Sequence, residues 1–405
     1  MSKLSIRDID LKNKRVFIRV DFNVPLTEDG STITDDTRIV ATLPTIEYAL
    51  RHHAKVILAS HLGRPKGKPN PKYSLRPVVD RLRELLDKQI GESVNVAFSP
   101  DCVGEIAEEM SRQLESRQVL LLENLRYHAE EEANDAEFSK QLASLAEVYC
   151  NDAFGSAHRA HASTEGITHF LKPAVAGLLM EKEITYLGKA LESPEKPFVA
   201  IIGGSKISGK IDVIQNLLDK VDSLVIVGGM AYTFYRSKGV ATGKSLVEED
   251  KIELAKETIE KARAKGVNLL LPVDNILADG FSNDAKTQEW DTSKNFPAEW
   301  QGLDIGPKSV AAIEDIVSRA RTIVWNGPAG VFEFPNFATG TNAIARAVAA
   351  NKAAISIIGG GDSVSAINQA GVASQITHIS TGGGASLEFL EGKKLPGVEA
   401  LTEKQ

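Results

Sequence analysis

Arg19, Asp21 and Asn23 alternate with Val20, Phe22 and Val24 in residues 16–25, VFIRVDFNVP. Polar groups gathered at one end of an apolar strand cost stability unless they are solvated, paired or holding a ligand. The arrangement recurs in Ser60-His61-Leu62-Gly63-Arg64, in Glu123-Asn124-Leu125-Arg126 and in residues 151–161, NDAFGSAHRAH. Guanidinium forks of this kind read phosphate and carboxylate groups bidentately. In the second half of the chain glycines take over: Gly203-Gly204 ahead of Lys206 and Lys210, then Gly228-Gly229, Gly359-Gly360-Gly361-Asp362 and residues 382–384. Amides freed of side chains can close on a phosphate chain. Of the 18 arginines 13, and of the eight histidines seven, fall within residues 1–170, whereas 25 of the 32 glycines follow residue 170. The first half is equipped to read small anions, the second to bring backbone N–H groups against a phosphate chain.

The individual motifs separate into stronger and weaker signals. Residues 204–210, GSKISGK, have the spacing of a phosphate-binding loop, but Ile211 replaces the hydroxyl that would hold magnesium; residues 239–245 are one residue short. Lys206 and Lys210 are spaced to share one helical face at a helix N-terminus, where anions are favoured, although solvated lysines would look the same. Asp362 could take a magnesium ion that also bridges phosphate oxygens; as a helix cap it would serve structure alone. Asp152, His158 and His161 have metal-ligand chemistry, yet Arg159 among them would repel a cation, so an anion site fits better and structural roles stay open. No Gly-x-Gly-x-x-Gly fingerprint is completed, which weakens a nicotinamide-dehydrogenase reading. No Gly-x-Ser-x-Gly elbow is present, and neither Cys102 nor Cys150 has the setting of a nucleophile.

These groups must be positioned by short apolar strands alternating with helical stretches, the pattern of α/β units on parallel sheets. Strands are expected at residues 16–25, 55–59, 119–122, 148–150, 198–202, 224–227, 269–271, 322–325, 354–358 and 378–380, with polar or glycine-rich residues at their carboxyl ends. Ligands bind beyond those ends in such sheets. At 405 residues the chain is too long for one ordinary core, so two domains are expected. The boundary is read at residues 169–186, where Leu171-Lys172-Pro173 breaks the chain. No apolar run is long enough to span a bilayer. Two cysteines without metal-type spacing point to a reducing, cytoplasmic setting. A net charge of −7 argues against general nucleic-acid or membrane affinity.

Taken together, in order and over essentially the whole chain, these motifs resemble the phosphoglycerate kinase family: residues 19–25, 36–39, 60–65, 122–128, 151–161, 203–210, 325–333, 359–363 and 380–388. Ser205 and Gly209 depart mildly from the family pattern and remove no charged group. The resemblance implies two Rossmann-like parallel-sheet domains joined by a helical hinge, with a cleft between them. It places the domains at 1–170 and 187–391, the hinge helix at 171–186 and a tail, 392–405, packing back on the first domain. It implies 3-phosphoglycerate bound by Asp21, Phe22, Asn23, Arg38, His61, Leu62, Gly63, Arg64, Arg126 and Arg159. Lys206, Lys210, Glu333, Gly359, Gly360, Gly361 and Asp362 would bind the nucleotide, Glu333 on its ribose and Asp362 on Mg2+. Gly228, Gly229 and Gly302 are candidates for the adenine slot, and Arg38 and Lys210 for the transfer itself. The implied reaction moves a phosphoryl group reversibly between ATP and the substrate carboxylate in glycolysis, by a cytoplasmic monomer with hinge-bending. The rival readings are a nicotinamide-dependent dehydrogenase and a non-catalytic nucleotide- or small-anion-binding protein.

Overall fold

The structure is a computed structural model that describes residues 3–404. The chain divides into two compact units, residues 1–185 with 394–405, and residues 186–393, the boundary falling inside helix Leu178–Glu192.

Unit 1 is built on a six-stranded sheet: β1 (Arg15–Arg19), β2 (Lys55–Ala59), β3 (Val96–Ser99), β4 (Val119–Leu122), β5 (Val148–Asn151) and β6 (Ala174–Ala176), in the order β3-β4-β2-β1-β5-β6. All pairings are parallel, so helices cover both faces and the strands are largely buried. β1 ends at Arg19, shorter than its alternation suggests. Beyond it only Val20 still pairs, its N–H donating to Ala59 O at 3.0 Å, and Val24 N closes on Phe22 O at 2.8 Å. The period-two packing survives the loss of pairing: Val16, Ile18, Val20, Phe22 and Val24 belong to one core cluster. Helix Thr37–Arg51 docks Ile39, Leu43, Ile46 and Leu50 on that core, the spacing of a helical apolar stripe. Residues 171–186 are not a continuous helix. Pro173 is followed by β6, which pairs with β5, and the helix starts at Leu178. The segment 394–404 returns to this unit: Leu4 N donates to Thr402 O at 2.8 Å, Thr402 N to Ala174 O at 2.8 Å and Gly397 N to Ala157 O at 2.8 Å.

Unit 2 carries a second six-stranded parallel sheet: β7 (Phe198–Ile202), β8 (Ser223–Ile226) and β9 (Asn268–Leu270), then, after an excursion, β13 (Thr322–Asn326), β14 (Ile355–Gly359) and β15 (His378–Ile379), in the order β15-β14-β13-β7-β8-β9. The excursion is a three-stranded antiparallel sheet, β10 (Asp274–Ala278), β11 (Thr287–Asp291) and β12 (Gln301–Ile305), which the sequence pattern does not announce. Its outer strand, β11, has no buried residue, so it carries no apolar run to read. Asp274, which ends an apolar run like the site residues, is structural: its carboxylate accepts from Lys308 N at 2.9 Å and Ser309 N at 2.8 Å, capping helix Pro307–Arg319.

Candidate functional site

In unit 1 the loops after β1, β2, β4 and β5 bring the anion-reading groups together. Asn23 fastens the first two loops, its Oδ1 accepting from Gly63 N at 2.8 Å; Ser60 Oγ accepts from Phe22 N at 2.8 Å. Asn124, fully buried after β4, accepts from Leu62 N at 3.2 Å and Arg126 N at 3.0 Å and donates to Leu62 O at 2.7 Å. Arg126 then reaches back to Gly63 O at 3.0 Å. Arg38, near the start of its helix, donates to Asp21 Oδ2 at 3.0 Å with 42% of its side chain exposed. Arg159 and Arg64 are exposed, Arg159 donating to His158 Nε2 at 3.2 Å.

The electrostatics of this group are one-sided. Burial and then the guanidinium groups of Arg19, Arg126 and Arg38 hold His61 well below the ordinary histidine pKa. Burial, then Arg126, Arg19 and Arg159, pushes His161 down to about 4. Both imidazoles are therefore neutral amid fixed positive charge, the setting in which a multiply charged anion is favoured and a metal cation is not. His161 gives a test of that reading. The unfolded chain takes up its proton near 6.5 and the folded one only near 4, so its contribution falls as pH drops through that window and returns as pH rises. Asp152, buried and pushed up to about 7, titrates with the opposite sign. The expected result is therefore a difference: denaturation midpoints of His161→Gln decline less between pH 6.5 and 4 than those of the parent.

In unit 2 the glycine-ended strands converge backbone on backbone. Gly203 N donates to Asn326 O at 2.9 Å, Gly204 N to Pro328 O at 3.2 Å and Met230 N to Gly204 O at 3.0 Å. Gly327 has φ +103°, and a Cβ there would stand 2.1 Å from Gly203 O. Gly327→Ala is expected to cost on the order of 2–4 kcal/mol, through strain and forced separation of these loops. Denaturation followed by the fluorescence of the fully buried Trp325 would check it. Lys210 bonds Asn326 Oδ1, and Asn326 also abuts Gly359 and Gly360. Burial lowers the Lys210 pKa, while Asp362 and Glu391 oppose the shift. Gly360, at φ +86°, takes the N-cap position of helix Gly361–Gln369 and offers no capping side chain; Asp362 lies exposed in the first turn. The capping role considered for Asp362 is thus not the one it plays.

Several sequence-based placements change. Phe22 is fully buried and Leu62 is 3% exposed, so their side chains belong to the core and only their backbones reach the site. Lys206 and Lys210 do not share a helical face. Helix Ile211–Leu217 begins after Lys210, leaving exposed Lys206 in the preceding turn. Glu333 is exposed in the turn after β13. Gly302 lies in β12, its N–H donating to Ser245 Oγ at 2.9 Å, and a Cβ there would stand 2.1 Å from the Tyr232 hydroxyl. Two exposed apolar side chains of this unit went unremarked in the sequence: Leu246, adjoining Ser245, and Phe281, edge-on to Phe334 at 5.3 Å. Their exposure is the only signal, and it is structural. Asp101, Cys102 and His128 lie close enough to hold a metal ion. However, His128 Nε2 and Asp101 Oδ1 already bond at 2.7 Å and burial raises the Cys102 thiol pKa. A structural pair accounts for them.

Known proteins share this sequence and fold. The family model described as phosphoglycerate kinase matches residues 6–393. Phosphoglycerate kinases of Acidobacterium capsulatum and Koribacter versatilis are 73% and 65% identical over 404 residues, covering 100% of both chains in each case. The solved phosphoglycerate kinase of Coxiella burnetii superposes with a TM-score of 0.88 at 43% identity, over 98% of each chain.

Proposed function

Since the chain belongs to the phosphoglycerate kinase family, we propose that its two units divide one phosphoryl transfer between them, unit 1 holding 3-phosphoglycerate and unit 2 the nucleotide. The protein is a phosphotransferase of glycolysis, moving a phosphoryl group reversibly between ATP and the carboxylate of 3-phosphoglycerate. The observation that carries the division is the cluster of Arg19, Arg38, Arg126 and Arg159 around His61 and His161, two histidines that burial first and these guanidinium groups second keep neutral. Asp21 beside Arg38 and Glu132 beside Arg126 offset part of the cluster's charge, and a phosphate and a carboxylate on one small molecule would offset the rest.

The acceptor carboxylate, with a pKa of about 3.5, is already ionised at neutral pH. No general base is needed; what must be overcome is repulsion between anions and the charge on the transferring group. Arg64, Arg126 and Arg159 hold the remote phosphate, whose binding energy orients the reacting end. Arg38, steadied by Asp21 through one nitrogen, turns its remaining N–H groups to the carboxylate and the incoming phosphoryl group. Asn23 and Asp21 fix the loops that present these groups. In unit 2 the amides of Gly359, Gly360 and Gly361 and the ammonium groups of Lys206 and Lys210 receive the phosphate chain. Gly228, Gly229 and Gly302 border the slot for the base, and Glu333 takes the ribose.

Asp362 suits a magnesium ion, being an exposed carboxylate in the first turn of a helix whose cap position is taken by Gly360. The ion would neutralise phosphate oxygens while drawing most of its ligands from them and from water. Because acceptor and donor are held by different units, turnover requires a motion about helix Leu178–Glu192 that brings the two ligands together. A cytoplasmic monomer completes the reading, supported by two buried cysteines left as free thiols.

The test is magnesium-dependent ADP formation from ATP and 3-phosphoglycerate, with removal of the bisphosphate product. Turnover that needs all three supports the assignment. ATP binding without turnover would leave a nucleotide-binding protein and overturn it.

A further inference from the structure

We infer that Arg19 is a positioning residue that fixes which nitrogen of His61 carries the proton, and that Ser163 and Glu131 hold Arg19 to that task. Arg19 is fully buried at the end of β1, so its guanidinium cannot swing into solvent. Its Nε donates to Ser163 Oγ at 2.9 Å, one terminal nitrogen bonds Val20 O, and the other lies 3.1 Å from His61 Nδ1. Arginine is a donor at every nitrogen and an acceptor at none. The contact with His61 is therefore attractive only when Nδ1 is bare, which puts the ring proton on Nε2.

Glu131, also fully buried, closes the far end of the chain of bonds. It accepts from Ser163 Oγ at 2.5 Å and from Ser163 N at 2.9 Å. With its one proton spent on Glu131, the Ser163 hydroxyl offers only lone pairs to Arg19 Nε. A buried guanidinium also needs a counter-charge close by, and Glu131 supplies it through the serine. The relay runs Glu131–Ser163–Arg19–His61 and draws on residues far apart in sequence. The groups acting on His61 from the elements around it are Arg19 from β1, Arg38 from helix Thr37–Arg51, Arg126 from the loop after β4 and His161 from the loop after β5. The carboxylates nearby are engaged with other groups, Asp21 with Arg38 and Glu131 with Ser163 behind Arg19. Thus His61 presents one fixed N–H donor toward anions rather than a lone pair or a proton to give away. This deepens the substrate reading of His61 and rests on it only for the kinetic arm of the test.

Nitrogen-15 spectra of the histidine rings in the ligand-free protein, with His61 assigned through His61→Gln, read the tautomer directly. The expected result is a bare Nδ1 and a protonated Nε2, persisting well below the ordinary histidine pKa of about 6.5. In Arg19→Met the His61 nitrogen shifts should show Nδ1 no longer held bare, the two neutral tautomers mixing, while burial and the guanidinium groups of Arg126 and Arg38 still keep the ring from taking a second proton. The KM for 3-phosphoglycerate should rise roughly 10- to 100-fold with kcat changed far less, the scale of one charged hydrogen bond. Ser163→Ala should move both readouts the same way by a smaller factor, about 3- to 10-fold in KM; it decides the matter if Arg19→Met does not fold. A proton on Nδ1 in the parent protein, or unaltered His61 nitrogen shifts in a folded Arg19→Met or Ser163→Ala protein, would overturn the inference. A His61→Gln enzyme with unchanged KM would instead remove His61 from the substrate site, a separate failure that leaves the nitrogen shifts to judge the relay.

Discussion

Arg38→Ala is expected to lower kcat by roughly 10³–10⁵-fold, or about 4–7 kcal/mol of transition-state stabilisation, with a much smaller change in substrate affinity. Arg38 is held to Asp21 at 3.0 Å by one nitrogen and remains 42% exposed along its side chain. It is thus anchored yet keeps donors to spend on charge that develops during transfer. Arg126 offers the contrast. It is bound to Gly63 O at 3.0 Å and side-chain exposure is only 8%, which suits it to a static part of the substrate. Arg126→Ala should therefore raise KM by about 10- to 100-fold, the scale of losing one charged hydrogen bond, and spare kcat. Steady-state kinetics at saturating ATP separate the two; an Arg38→Ala enzyme that keeps full kcat would take Arg38 out of the transfer step.

Lys210→Ala is the second large effect, a loss of about 10³-fold in kcat, comparable to removing a preorganised donor from a developing oxyanion. The ammonium is drawn out of solvent against Asn326, and burial lowers its pKa while Asp362 and Glu391 resist the shift. A phosphate chain would add negative charge on the same side as Asp362. Nucleotide affinity measured by calorimetry should fall much less than kcat, because the amides of Gly359, Gly360 and Gly361 remain. Equal losses in affinity and kcat would make Lys210 a binding group only.

Most of the framework could be read from the chain because parallel strands buried on both faces are short apolar runs, and their polar carboxyl ends stand out against them. Residues 16–24 kept the predicted core face even where strand pairing stopped at Arg19. Arg19 itself resisted reading. Nothing near it in sequence explains a fully buried guanidinium, because Ser163 and Glu131, the groups that stabilise it, arrive from 144 residues away and from the helix Ala129–Glu132. The three-stranded excursion was illegible for the opposite reason. Thr287–Asp291 alternates between exposed and half-buried positions without a core face. Asp274 showed how a helix cap and a ligand-binding carboxylate look alike until the capped N–H groups of Lys308 and Ser309 are located.

The return of residues 394–404 to unit 1 bears on the order in which the protein can be finished. On the ribosome all of unit 2, residues 186–393, is synthesised before the last piece of unit 1 is made. Until then Ala157 O and Ala174 O lack the N–H groups of Gly397 and Thr402. Gly397 supports the very loop that carries Arg159. The usual expectation, that the N-terminal part of a chain matures first during synthesis, is therefore reversed for this loop: the half made first is the half completed last.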